Sequence, residues 1–185
     1  MSDLILRAGD KFDISGDGRT IEGIAFPWDV PASVQDPGLT FRYQESFDRR
    51  SVTNTLRTRG DVRPMFVRHA YVRGSFGEVK FRPSAEGLIY TARAFADSQL
   101  AAEVLADGLG EHGRYPAVSV GFYPITPKGR PTPGQLVHRT EIRLEELSVA
   151  EVGQHPGAKV LAVRAEDGTP RLDALRRRLA TLPNW

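Results

Sequence analysis

The 185 residues contain no cysteine. This rules out a disulfide, a thiolate zinc site and a cysteine nucleophile, and it agrees with a reducing compartment. No apolar run approaches the roughly eighteen residues of a membrane-spanning helix. The first ten residues, Met1 to Asp10, lack the basic region, apolar stretch and small-residue cleavage site of a leader. The expectation is a soluble, unexported protein with no membrane partner. Neither charge sign dominates: 25 basic residues face 23 acidic ones, giving a net charge of +2 and a pI near 9.1. The one dense basic cluster, Arg176 to Arg178, reads as the solvated face of a terminal helix, so nucleic acid is not an expected partner. No zinc-protease helix, phosphate loop, dinucleotide fingerprint or lipase-type serine elbow is present. An acidic set around Asp13, Ser15, Asp17 and Glu22 lacks a correctly placed closing carboxylate for a calcium loop. No metal or cofactor is expected.

With 40% apolar residues the chain can bury a core. Short apolar runs alternate with turn residues, which predicts a mainly β domain with a few helices over 1–164. Expected strands are Leu4 to Ala8, Lys11 to Ser15, Thr20 to Phe26, Met65 to Tyr71, Phe76 to Phe81 and Leu88 to Phe95, then the segment around Ser119 and a long strand from Gln135 to Ala150. An Asp17-Gly18 hairpin turn is expected between the second and third. Residues 27–41 hold three prolines and read as an irregular loop. Helices are expected from Ser46 to Thr58, with Phe47, Val52 and Leu56 inward, and from an Asp97 cap to a Gly108 stop. Residues 165–170 read as a linker, and Leu172, Leu175, Leu179 and Leu182 have the spacing of an amphipathic helix.

Chemistry is expected at the segment Pro-Ala-Val-Ser-Val-Gly-Phe, Pro116 to Phe122. As a strand it sends Val118, Val120 and Phe122 into the core and places Ser119 on a face of small residues with Ala117 and Gly121. A serine hydroxyl needs a histidine to take its proton and a third group to fix the imidazole tautomer. His69 lies at the end of the apolar strand Pro-Met-Phe-Val-Arg-His, on the face of Met65 and Val67. His112 and His155 sit in loops and read as solvated, while His138 is a possible third member. In the strand after Gln135, alternation aligns Glu146 with His138, Thr140, Ile142 and Leu144, and sets Arg139, Glu141, Arg143 and Glu145 on the polar face. A carboxylate among apolar neighbours demands a partner, either an imidazole N–H or one of the many arginines. Each residue alone also has a plain structural reading: a packed histidine, a strand serine, a salt-bridged glutamate.

The order of these segments resembles the tailed-bacteriophage prohead proteases, capsid-maturation serine proteases related to the herpesvirus assembly proteases. The resemblance runs from about Thr20 to Val163. It is carried by Ile21-Glu-Gly-Ile-Ala-Phe26, Tyr43-Gln-Glu-Ser-Phe47, the strand ending at His69, Gly74-Ser-Phe-Gly-Glu-Val79, and Glu86-Gly-Leu88. Ser119-Val-Gly-Phe122, Leu144-Glu-Glu-Leu-Ser-Val149 and Pro156-Gly-Ala158 complete the series. The resemblance implies a partly closed β-barrel of the herpesvirus-protease type, Ser119 as nucleophile, His69 as general base and Glu146 as the residue that orients His69. The herpesvirus relatives use a second histidine in that third place. One departure is Ala70, which follows the histidine where the family commonly has an acidic residue. The implied function is a serine endopeptidase that matures the procapsid in the host cytoplasm, inside the prohead. Its expected substrates are the major capsid protein, its scaffolding segment and the protease itself, as a homo-oligomer. The alternative is a non-catalytic structural or scaffolding barrel of the phage particle.

Overall fold

The computed structural model describes residues 5–10, 13–14, 19–36, 38–109, 114–151 and 160–162. The expected Asp17-Gly18 turn, His112, His155, the linker and the terminal helix lie outside them. The described residues are mainly β, with two α-helices and a large sheet curled into a half-barrel. Strands β1 (Ile5–Asp10), β2 (Asp13–Ile14), β3 (Thr20–Pro27), β4 (Ala32–Val34) and β5 (Tyr43–Phe47) precede helix α1 (Thr53–Arg59). Then come β6 (Val62–Val67), β7 (Gly77–Pro83), β8 (Gly87–Ala94), helix α2 (Gln99–Asp107), β9 (Ala117–Thr126), β10 (Leu136–Arg139), β11 (Glu141–Ala150) and β12 (Val160–Ala162).

The large sheet runs β1-β9-β11-β6-β7-β8-β3-β12, with β2 beside β3. The pair β11 and β6 is parallel, and the others in this sheet are antiparallel. Its concave face is filled by Ile21, Phe26, Met65, Val67, Val79, Phe81, Val118, Val120, Phe122, Leu144, Leu147 and Val149. A second sheet, β10-β5-β4, has its own small core of Val34, Leu39, Tyr43 and Val137. Phe47 joins the two: its ring stacks on Phe26 at 4.1 Å and meets Phe122 edge-on at 5.4 Å. Such ring pairs add about 0.5–1.5 kcal/mol each beyond the area they bury.

Five local expectations are corrected. Tyr43 to Phe47 pairs with β4 and β10 as a strand, so the first helix starts only at Thr53. Part of the expected loop 27–41 is β4, whose Ala32 and Val34 face the small core. The cap of α2 is Ser98, whose hydroxyl accepts from Ala101 N–H at 3.2 Å, one residue past Asp97. Gly108 does stop that helix, at φ +86°. The long strand from Gln135 is two strands in different sheets, divided at Thr140. Arg139, expected on a polar face, is buried: its guanidinium donates to Glu45 Oε1 at 2.7 Å and to the Tyr43 hydroxyl at 3.1 Å. This ion pair draws residues 136–139 into the small sheet.

Candidate active site

Strand β9 alternates as its sequence dictates: Val118, Val120 and Phe122 enter the core, and Ala117, Ser119 and Gly121 take the opposite face. Opposed residues on neighbouring strands share a face, so the partners of that small-residue face are set by register. On β11 they are Ser148 opposite Ser119 and Glu146 opposite Gly121. On β6, Phe66 lies beside Ser148.

Glu146 is therefore not in line with Ile142 and Leu144, contrary to the alternation expected for this strand. A β-bulge between Leu144 and Glu146 inserts Glu145 against a continuous β9 and shifts the phase by one residue. Ile142 and Leu144 before the bulge and Leu147 and Val149 after it all face the core, which leaves Glu146 and Ser148 opposite. Side chains take over the backbone groups around the irregularity. Arg63 Nε donates to the Leu144 carbonyl at 2.8 Å, and the Thr55 hydroxyl donates to the Ile142 carbonyl at 2.7 Å. Burial pushes the Arg63 guanidinium below its ordinary range, with the nearby charge of Arg59 adding to the effect.

His69 also departs from its expected place. Strand β6 ends at Val67, and both Arg68 (φ +51°) and His69 (φ +58°) adopt the left-handed conformation. Simple alternation would send His69 into the core with Met65 and Val67; the left-handed corner turns it onto the face of Ser119. Two such residues in succession cost on the order of 1–3 kcal/mol each. Three consecutive amides are nonetheless satisfied: Arg68 N–H donates to Val149 O at 2.9 Å, His69 N–H to Ser148 Oγ at 3.1 Å, and Ala70 N–H to Val67 O at 2.9 Å. The Arg68 side chain further pairs with Glu151, which also meets Arg114 at 3.4 Å. The Arg68 guanidinium holds the Glu151 carboxyl below the usual carboxylate range.

These three local events bring Ser119, His69 and Glu146 into one hydrogen-bonded series. The Ser119 hydroxyl lies 2.9 Å from His69 Nε2, and His69 Nδ1 lies 2.6 Å from Glu146 Oε1. A carboxylate only accepts, so Nδ1 carries the proton and Nε2 presents its lone pair to the hydroxyl. Such a series can move the serine proton to the imidazole while the carboxylate balances the charge that forms. Glu146 is 1% exposed and Ser119 2% exposed, and low polarity strengthens both contacts. Tyr71, which meets Phe66 edge-on at 4.8 Å, has its phenol pushed up by burial and by the charge of Glu146.

His138, weighed as a third member, lies elsewhere. Its Nδ1 is 2.9 Å from Ser46 Oγ, and its Nε2 is 3.8 Å from Asp29 and 3.7 Å from Asp48. Two residues with a part in the site were not singled out by sequence reasoning. Gly121 is one: a Cβ there would overlap Glu146 Oε1 and stand 2.9 Å from Glu146 Cγ and Cδ, so the carboxylate crosses β9 only above a glycine. Ser148 is the other, with a hydroxyl that donates to Glu146 Oε2 at 2.7 Å. The signal for Gly121 was its place in the small face two residues beyond Ser119. Ser148 could have been found by counting back from the serine strand once the bulge was known.

A mainly β half-barrel with a serine, a histidine and a buried glutamate in hydrogen-bonded series is the class of architecture that the described residues define. No protein-family profile, curated protein or solved structure matches the chain.

Proposed function

We propose that the protein is a serine endopeptidase with Ser119 as nucleophile, His69 as general base and Glu146 as the residue that orients His69. The observation that carries this reading is the unbroken series from Ser119 Oγ through both His69 ring nitrogens to Glu146 Oε1, at 2.9 and 2.6 Å. Ser119 Oγ attacks the scissile carbonyl as its proton passes to His69 Nε2, backbone amides receive the oxyanion, and the imidazolium returns the proton to the leaving amine. Water, deprotonated by the same imidazole, then releases the acyl group and restores Ser119. The order of motifs from Ile21 to Ala158 supports the finer assignment: a herpesvirus-protease-like barrel acting as a prohead protease. Its substrates are the major capsid protein, the scaffolding segment and itself, inside the immature capsid in the host cytoplasm.

One observation favours the alternative, a non-catalytic structural or scaffolding barrel: Ser119 is almost fully covered. A nucleophile covered in this way also fits a protease held inactive until the shell assembles, because cleavage before closure destroys its own substrate. The expected result is low activity in the dilute monomer and a rise on self-association. The test is intact mass after treatment with a serine-reactive fluorophosphonate, beside Ser119→Ala and His69→Ala. A single adduct on the native chain, absent from both variants, supports the enzyme. No adduct under any condition, including those that drive self-association, moves the assignment to the barrel. Self-cleavage is read from the mass of concentrated native protein over time, with Ser119→Ala as the control.

A further inference from the structure

We propose that Ser148 is a positioning residue of the candidate site, holding both ends of the His69–Glu146 hydrogen bond through one hydroxyl. The inference rests on the triad reading above and extends it to a fourth residue.

Ser148 lies opposite Ser119 in the ladder, so the two hydroxyls leave the same face of adjacent strands. Their surroundings separate them. The Ser119 hydroxyl is directed at His69 Nε2, a base that can take its proton. The Ser148 hydroxyl has its proton committed to Glu146 Oε2 at 2.7 Å, and its oxygen accepts the main-chain N–H of His69 at 3.1 Å. Ser148 is fully buried, so no solvent competes for either bond.

Each bond removes a freedom that the series cannot tolerate. A carboxylate held through one oxygen can swing about its last torsion, which is broad for glutamate. With Oε2 held by Ser148, Oε1 stays on His69 Nδ1. The floor is closed by Gly121, where any Cβ would displace the carboxylate. On the other side, His69 occupies a left-handed conformation that a non-glycine residue adopts only when its surroundings hold it there. The N–H of His69 is fixed by Ser148 rather than by a strand carbonyl. One hydroxyl thus fixes the backbone that aims the imidazole and the oxygen that sets its tautomer. A serine that merely filled space would have neither effect.

The test has two independent readouts on folded native protein and Ser148→Ala, with folding checked by thermal melting. The first is the 15N shifts of the His69 ring, taken where the imidazole is neutral. The native chain is expected to show one tautomer, protonated at Nδ1, and Ser148→Ala a mixture. The second is fluorophosphonate inactivation, whose limiting rate is expected to fall about 10–100-fold, the range typical of lost orienting partners, with the half-saturating concentration unchanged. If Ser148→Ala does not fold, Ser148→Cys retains the volume, replaces both bonds with weak ones, and is read in the same way. A single Nδ1–H tautomer that survives in the folded variant overturns the proposal, as does a mixture already present in the native chain. A tautomer change without any labelling of the native protein leaves the positioning role standing and removes the peptidase reading. The two failures are therefore distinguishable.

Discussion

Among the described residues two buried glutamates sit in two sheets, and their partners give them different capacities. In the small sheet, Glu45 receives Arg139 Nε at 2.7 Å, with Tyr43 and Asp36 continuing the network. In the large sheet, Glu146 receives His69 Nδ1 at 2.6 Å, and Ser119 continues the series. Both carboxylates are almost wholly removed from solvent, and both would be costly alone. A guanidinium stays charged at any ordinary pH, so Glu45 and Arg139 can only hold the chain together. An imidazole can gain and lose a proton, so the Glu146 series can do chemistry. Burial selects for a partner, and the partner's proton affinity decides between scaffold and site.

The sharpest break of this comparison is expected from Ser119→Ala, which should lower hydrolysis or fluorophosphonate inactivation by up to about 10⁶-fold, the size of loss typical of a serine nucleophile. Its melting temperature should stay near that of the native chain. Next is Glu146→Gln, in which the amide favours the wrong imidazole tautomer; a loss of about 10⁴-fold in inactivation rate with intact folding is expected. The same measurement on Arg139→Ala should show the reverse. Glu45 is left buried without its cation, stability falls by about 3–5 kcal/mol in denaturant titration, and the folded fraction retains its reactivity. A folded Arg139→Ala with lost reactivity would break the division between the sheets. Gly121→Ala should cost about 10²-fold in rate, because the new Cβ moves a carboxylate that must be placed within about 1 Å. The smallest effect concerns the corner beside His69. Arg68 lowers the Glu151 carboxyl in the folded chain, so this contribution is present above the ordinary carboxylate range and is lost as pH falls through the folded value. Glu151→Gln should slightly lower the melting temperature at neutral pH and flatten its decline towards acid.

The two regions also differed in how far the sequence revealed them. Ser119 was placed correctly because β9 runs through Phe122 with strict alternation, and the contrast between its valines and its small residues is unambiguous. His69 and Glu146 were picked out as residues but set on the wrong faces. Each is turned by a local event, a two-residue left-handed corner and a one-residue bulge, that leaves no mark in a hydropathy pattern. Ser46 and Phe47 read as the start of a helix because the apolar residues of that stretch are too few to separate a period of two from one of 3.6. Long-range pairing with β4 and β10 decides it. Arg139 reads as a surface residue because nothing local shows that Glu45, far away in sequence, neutralises it.

The bulge at Glu145 also bears on how the chain can vary in length. The residues on either side of it, Leu144 and Glu146, face opposite sides of the sheet and oppose consecutive residues of β9. A chain lacking Glu145 would therefore close the ladder into regular pairing with every side chain still on its present side. Elsewhere in β11, removing one residue would turn the rest of the strand over and exchange its buried and exposed sets. An alignment of chains sharing this ladder can accordingly open a one-residue gap at Glu145 and keep Glu146 in column with its counterparts. The same gap anywhere from Leu147 to Val149 would set the residues beyond it on the opposite face.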